Sequence, residues 1–166
     1  MKTNSVEAGV GLIEVMVAIL LLSVAVLGFS ALQLRAISAT DESLLRTQAL
    51  SVIRGLAENM RANSQQIDIY QQTINDSTKT VESCTKCTAE QIAINESKAA
   101  FERLKSYGIG VQMVTCPGTA DFSQVKCVIA AWRDTEALMD DSDDDACANE
   151  NGIYNSGSSC IIVETY

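Results

Sequence analysis

The sequence predicts an α+β protein: a long amino-terminal helix, apolar in its first half and amphipathic in its second, followed by a small antiparallel-sheet head. Three observations predict it. An apolar run extends to Leu34, and beyond it apolar residues recur at three- and four-residue steps as far as Met60. All six cysteines fall at or after Cys84. Short β-rich runs occupy the last third of the chain, separated by turn residues.

The apolar run comes first. From Val15 to Leu32 no residue is charged, and only Ser23 and Ser30 are conventionally polar. A helix from Val10 to Leu34 would extend about 37 Å at ~1.5 Å per residue, enough to cross a hydrocarbon core of roughly 30 Å. Val and Ile are frequent, but Leu, Ala and Met and the sheer length of the run favour helix over strand. Glu14 is the anomaly. An acid at the centre of a spanning helix costs roughly 2.5–3.5 kcal/mol, and less near an interface.

Three readings of this segment compete. A secretory signal peptide could use Ala36-Ile37-Ser38 as its cut site, but the core is too long, Glu14 interrupts it, and Lys2 is the only basic residue in front. A plain single-span anchor leaves Glu14 only the helix macrodipole for support, worth about 0.3–1 kcal/mol. The third reading is a short polar leader removed ahead of the helix. No cysteine lies near the run, which excludes a lipoprotein anchor.

The helix is expected to continue. Leu45, Ala49, Val52, Leu56 and Met60 lie on one helical face, with Arg46, Gln48, Arg54 and Glu58 elsewhere. One helix from about Gly11 to Arg61, ended by Asn63-Ser64, accounts for this pattern. Gly28 costs it only about 1 kcal/mol relative to Ala. The alternative is two helices broken near Ser38–Asp41, with Thr40 or Asp41 as the N-cap.

Residues 1–62, with Gly9, Glu14 five positions later and the apolar run, resemble the amino terminus of type IV prepilins and the related type II secretion pseudopilins. The resemblance implies a peptidase cut between Gly9 and Val10, N-methylation of Val10, and Glu14 as the fifth residue of the mature chain. Val10 stands where Phe is usual and Gly11 where Thr or Ser is usual; the glycine and the glutamate are intact. Cleavage would create a charged amine on Val10, costly among apolar helices. Glu14 of a neighbouring subunit is the natural partner, since breaking a buried ion pair costs about 3–5 kcal/mol.

Arg46-Thr47-Gln48-Ala49 and Gly55-Leu56-Ala57-Glu58-Asn59-Met60-Arg61-Ala62-Asn63 are most similar to the minor prepilins of the PilV type. That likeness implies a pilin-like fold with a leader over 1–9, a transmembrane or fibre-core helix over 10–34, its amphipathic continuation over 35–62 and a periplasmic head over 63–166. It also implies an inner-membrane precursor with a single span. After processing by prepilin peptidase, the subunit would join other minor pilins and the major pilin in a priming or tip complex at the cell surface, with a tip adhesin. A minor pseudopilin of a type II secretion system is the alternative. A membrane-anchored periplasmic binding module that never polymerises is another.

In the head, residues 63–90 are polar and read as a long surface connection. A weaker amphipathic helix follows from about Thr88 to Tyr107, with Ile92, Ala99, Ala100 and Leu104 on its face, stopped by Gly108 and Gly110. Val111–Thr115, Val125–Trp132 and Cys160–Thr165 read as strands, the first two separated by a loop holding Pro117-Gly118.

Six cysteines in a small exported head read as a disulfide framework. Fifteen pairings are formally possible, and local spacing favours Cys84–Cys87, Cys116–Cys127 and Cys147–Cys160. Zinc is the competing reading of Cys84-x-x-Cys87, but no second close pair follows and the chain has no His. A redox CxxC calls for a strand-to-helix setting that the sequence does not display.

Asp141, Asp143 and Asp145 alternate like the start of a calcium loop, yet Ala146 stands where glycine is required and Gly152 where the closing Glu belongs. A solvated acidic loop is the expectation, with calcium a weak candidate. The net charge of −9 argues against nucleic acid as a partner. Without His there is no Ser-His or Cys-His pair, and no phosphate-binding glycine loop appears. Trp132 and Tyr154 read as core or edge aromatics. No enzyme and no cofactor is expected.

Overall fold

The computed structural model describes residues 11–76, 78–81, 83–119 and 124–165. These form two compact units, divided between Asp41 and Glu42. Helix α1, Leu12–Ala62, runs unbroken through Ser38–Asp41, so the single-helix reading holds and no cap forms at Thr40 or Asp41.

The first unit is the leading part of α1, whose large apolar side chains are all exposed, from Leu12 to Ile37. Three of its hydroxyls are bonded back to the helix itself. Ser23, Ser30 and Thr40 donate back to the carbonyls of Ile19, Val26 and Ala36 at 2.7, 2.9 and 2.9 Å. The helix is long and apolar enough to cross a membrane.

The second unit begins with the remainder of α1, which buries Ala49, Ile53, Leu56, Ala57 and Met60. Residues 63–90, expected as a surface connection, instead contain a 3₁₀ turn, Ser64–Gln66, and a helix α2, Ile67–Asn75. Ile67, Tyr70 and Ile74 sit at helical spacing and enter the core, a pattern that the polar residues between them mask.

Helix α3, Ala89–Ser106, starts with a full capping box: the Thr88 hydroxyl accepts from the Gln91 N–H, and the Gln91 side chain accepts from the Thr88 N–H. Its buried face is Ala93, Ile94, Ser97, Lys98, Ala100 and Leu104. Ile92 and Ala99 point outward, so the face is rotated from the expected one. Gly108 follows with φ of 71°, a left-handed stop that glycine adopts without strain.

Strands β1 (Gly110–Thr115), β2 (Lys126–Ala131) and β5 (Cys160–Glu164) form an antiparallel sheet in the order β1-β2-β5. Val128 of β2 faces Met113 of β1 and Val163 of β5. Two strands absent from the expectation, β3 (Glu136–Met139) and β4 (Ala146–Ala148), pair in parallel as a small second sheet.

Every residue of β2 is buried, because both faces of the main sheet are covered. Met113, Val128, Ala130 and Ile161 join α1, α2 and α3 in the principal core. Ile129, Ala131, Cys147 and Cys160 form a second cluster with Ala137 and Met139 on the opposite face. The expected architecture is therefore observed: a long helix packed on a small antiparallel sheet, an α+β, pilin-like fold.

Candidate functional site

Glu14 lies in the first turn of α1, its N–H bonded to the Gly11 carbonyl at 2.9 Å. Between Gly11 and Leu34 it is the sole charged residue. Val15, Ala18, Ile19 and Leu22 share its helix face, so one fixed charge sits in an exposed apolar strip. The first helical turn favours an acid there. Gly9 and Val10, the expected processing point, lie outside the described residues.

A second acid matters in the head, and sequence reasoning missed it. Glu42 of α1 accepts a hydrogen bond from Trp132 Nε1 at 3.0 Å through Oε1 and pairs with Arg133 Nη1 at 3.0 Å through Oε2. Trp132 is buried, and Arg133 adopts a left-handed φ of 60°. A non-glycine residue there bears strain that its surroundings must hold. Glu42 thus fixes the end of β2 to the helix. Contact across 90 residues leaves no local signal in the sequence.

The edge of β1 is closed in a related way. The Asn75 side chain accepts from the Met113 N–H at 2.8 Å and donates to the Met113 carbonyl at 2.8 Å, as a neighbouring strand would. Tyr70, inside the core, donates its hydroxyl to Glu96. Burial first, then that bond and the nearby Glu96 charge, push the phenol well above its ordinary range.

The six cysteines form three bridges, Cys84–Cys87, Cys116–Cys127 and Cys147–Cys160, with Cα separations of 5.3, 5.1 and 5.8 Å. Cys116–Cys127 ties the end of β1 to β2, and Cys147–Cys160 ties β4 to β5.

The acidic loop uses its carboxylates on its own backbone. Asp140 Oδ1 accepts from the Ser142 hydroxyl and N–H at 2.6 and 2.7 Å, which holds its carboxyl below the usual value. Asp141 accepts from the Glu150 N–H and Asp143 from the Asp145 N–H. Asp141, Asp143 and Asp145 are not brought into one shell; among the described residues no group of three or more His, Cys, Asp or Glu is placed to hold a metal ion. Tyr154 is half exposed, and its hydroxyl accepts from the Ile162 N–H of β5 at 2.9 Å.

Residues 31–104 match the model of a family described as Tt1218-like, Type IV pilin Tt1218. The matched span takes in the later part of α1, all of α2, and α3 as far as Leu104. No curated protein and no solved structure matches the chain. The family match supports a type IV pilin, and together with the long apolar helix it is consistent with membrane anchoring.

Proposed function

We propose that this chain is a minor pilin, a structural rather than catalytic subunit that enters a type IV pilus after its leader is removed between Gly9 and Val10. The observation that carries the reading is the type IV pilin match across residues 31–104. The leading part of α1 supports it independently, because its apolar side chains have no partner within their own unit and call for lipid or other helices. In the precursor the helix anchors the chain in the inner membrane with the head in the periplasm. In the fibre the same surface packs against other subunits, and the complex primes or tips the pilus, where it helps display an adhesin. The likeness of residues 46–63 to the PilV type favours a minor over a major subunit.

Glu14 then has a stated task. It pairs with the methylated amine of Val10 on the adjacent subunit and sets the axial register of docking. Replacing Glu14 with Gln leaves membrane insertion intact and reduces incorporation into fibres by at least about tenfold, the effect of losing roughly 1.4 kcal/mol per contact. Normal incorporation of the variant would remove the pairing role. Deletion of the chain distinguishes the machines it could serve: loss of surface pili is expected, whereas loss of exported enzymes with pili intact would assign it to a type II secretion system.

A further inference from the structure

The three bridges differ in accessibility. Cys116, Cys127, Cys147 and Cys160 are 4, 3, 0 and 9 % exposed and lie within or beside the sheets. Cys87 is exposed and Cys84 half-buried, in the connection that leads into α3. Their bridge also spans only three positions in the sequence, against 11 and 13 for the others. It removes the least chain entropy from the unfolded state, and its opening exposes the least core.

The surroundings of this pair favour its reduced form. Cys87 immediately precedes Thr88, the N-cap of α3, and so lies one residue outside the positive end of an 18-residue helix. Asn95, two turns into that helix, directs its Nδ2 donor at Cys84 Sγ from 4.0 Å. Lys86 lies between the two cysteines. A helix N-terminus, a polar donor and an adjacent cation each stabilise a thiolate. The CxxC thus lies directly ahead of the helix expected from about Thr88, and the folded chain adds the full capping box at its start.

We propose that Cys84–Cys87 is an exchangeable disulfide, a modification site open to attack by a dithiol, while the other two bridges are permanent staples. A thiolate of the dithiol attacks one sulfur, the Cys84–Cys87 bond breaks, and a mixed disulfide forms. The second thiolate of the reagent then closes its own disulfide and releases the protein as two thiols. Two electrons and two protons pass from the dithiol to the pair.

The test is graded reduction of the native full-length chain in detergent, followed by alkylation of free thiols and peptide mapping, with dithiothreitol in one arm and reduced thioredoxin in the other. Alkylation at Cys84 and Cys87 is expected at least about tenfold faster than at the other four cysteines. The C84S/C87S variant should keep the native melting temperature within a few degrees and lose the fast phase. Fast reduction in both arms makes protein dithiols competent attackers, and fast reduction by dithiothreitol alone restricts the site to small dithiols; both results uphold the exchange. Reduction of all three bridges together, or of Cys84–Cys87 no faster than the rest in either arm, would overturn it.

Discussion

The two parts of α1 obey opposite rules. From Val15 to Leu32 the helix is apolar on every side, and before Asp41 it keeps its large apolar side chains exposed, Leu21 at 67 % and Phe29 at 63 %. After Glu42 it is mixed in composition and buries one stripe completely, with Ala49, Ile53 and Met60 at 0 %. An all-round apolar helix is built for a medium or for partners outside its own unit; a striped helix is built for one neighbour. One element therefore leaves its first part exposed, for the intermolecular task proposed above, and commits its second to the packing of the head. Substitutions in the first part should report on insertion and assembly, and those in the second on the stability of the head.

The largest expected effect lies in the stripe. Ile53→Ala removes a fully buried side chain from the principal core and should cost about 2–5 kcal/mol, read by denaturant unfolding of the full chain in detergent. The matched substitution Leu21→Ala, in the exposed part, should change head stability by no more than about 0.5 kcal/mol. Equal losses from the two variants would erase the contrast.

The bridge between Cys147 and Cys160 comes next. Its removal by C147S/C160S should cost about 2–5 kcal/mol, because it sits in the second core cluster and holds the small sheet against β5. Thermal unfolding followed by circular dichroism would measure it.

Glu42 marks the start of the helix's intramolecular part, and Glu42→Ala sharpens the boundary. The loss of the Trp132 hydrogen bond and the Arg133 pair should destabilise the head by about 1–3 kcal/mol. Because Trp132 is the sole tryptophan, its emission should shift in the variant while the helix content stays constant. An unchanged spectrum and stability would show that the clamp contributes nothing.

Smaller effects follow from titration. Tyr70 has a folded pKa above its unfolded value, so its contribution is fully present below about pH 10 and is lost as pH rises through the folded value. The Tyr70→Phe variant should therefore lose part of the alkaline destabilisation seen in the parent. Asp140 behaves in the opposite sense. Its folded pKa is depressed by Ser142, so its contribution is present above about pH 4 and fades as pH falls through the lowered value. A carboxyl titration by NMR should show that displacement, and S142A should reduce it by removing the hydroxyl bond while the backbone N–H bond remains.

How much of this was legible in the sequence follows from the range of each signal. The α1 stripe was readable because Leu45, Ala49, Leu56 and Met60 repeat over many turns. Helix α2 was not, since its apolar residues Ile67, Ile69, Tyr70 and Ile74 span only two turns among Asp, Gln, Thr and Asn. In α3 the aliphatic stem of Lys98 and the small Ser97 take core positions that hydropathy assigns to solvent, which displaced the reading towards Ile92 and Ala99. Strands β3 and β4 are four and three residues long, too short for alternation to show beside an aspartate run. Of the site residues, Glu14 was conspicuous because a charge inside an apolar run needs a cause. Glu42 was not, because its partners Trp132 and Arg133 are brought to it only by the fold.

The measurement that tests the central claim most directly is the intact mass and amino-terminal residue of the chain recovered from fibres sheared off the cell surface. A mature chain beginning at Val10, N-methylated and present in the fibre fraction, is the predicted result. A chain still beginning at Met1, confined to the membrane and absent from the fibres, would contradict the account.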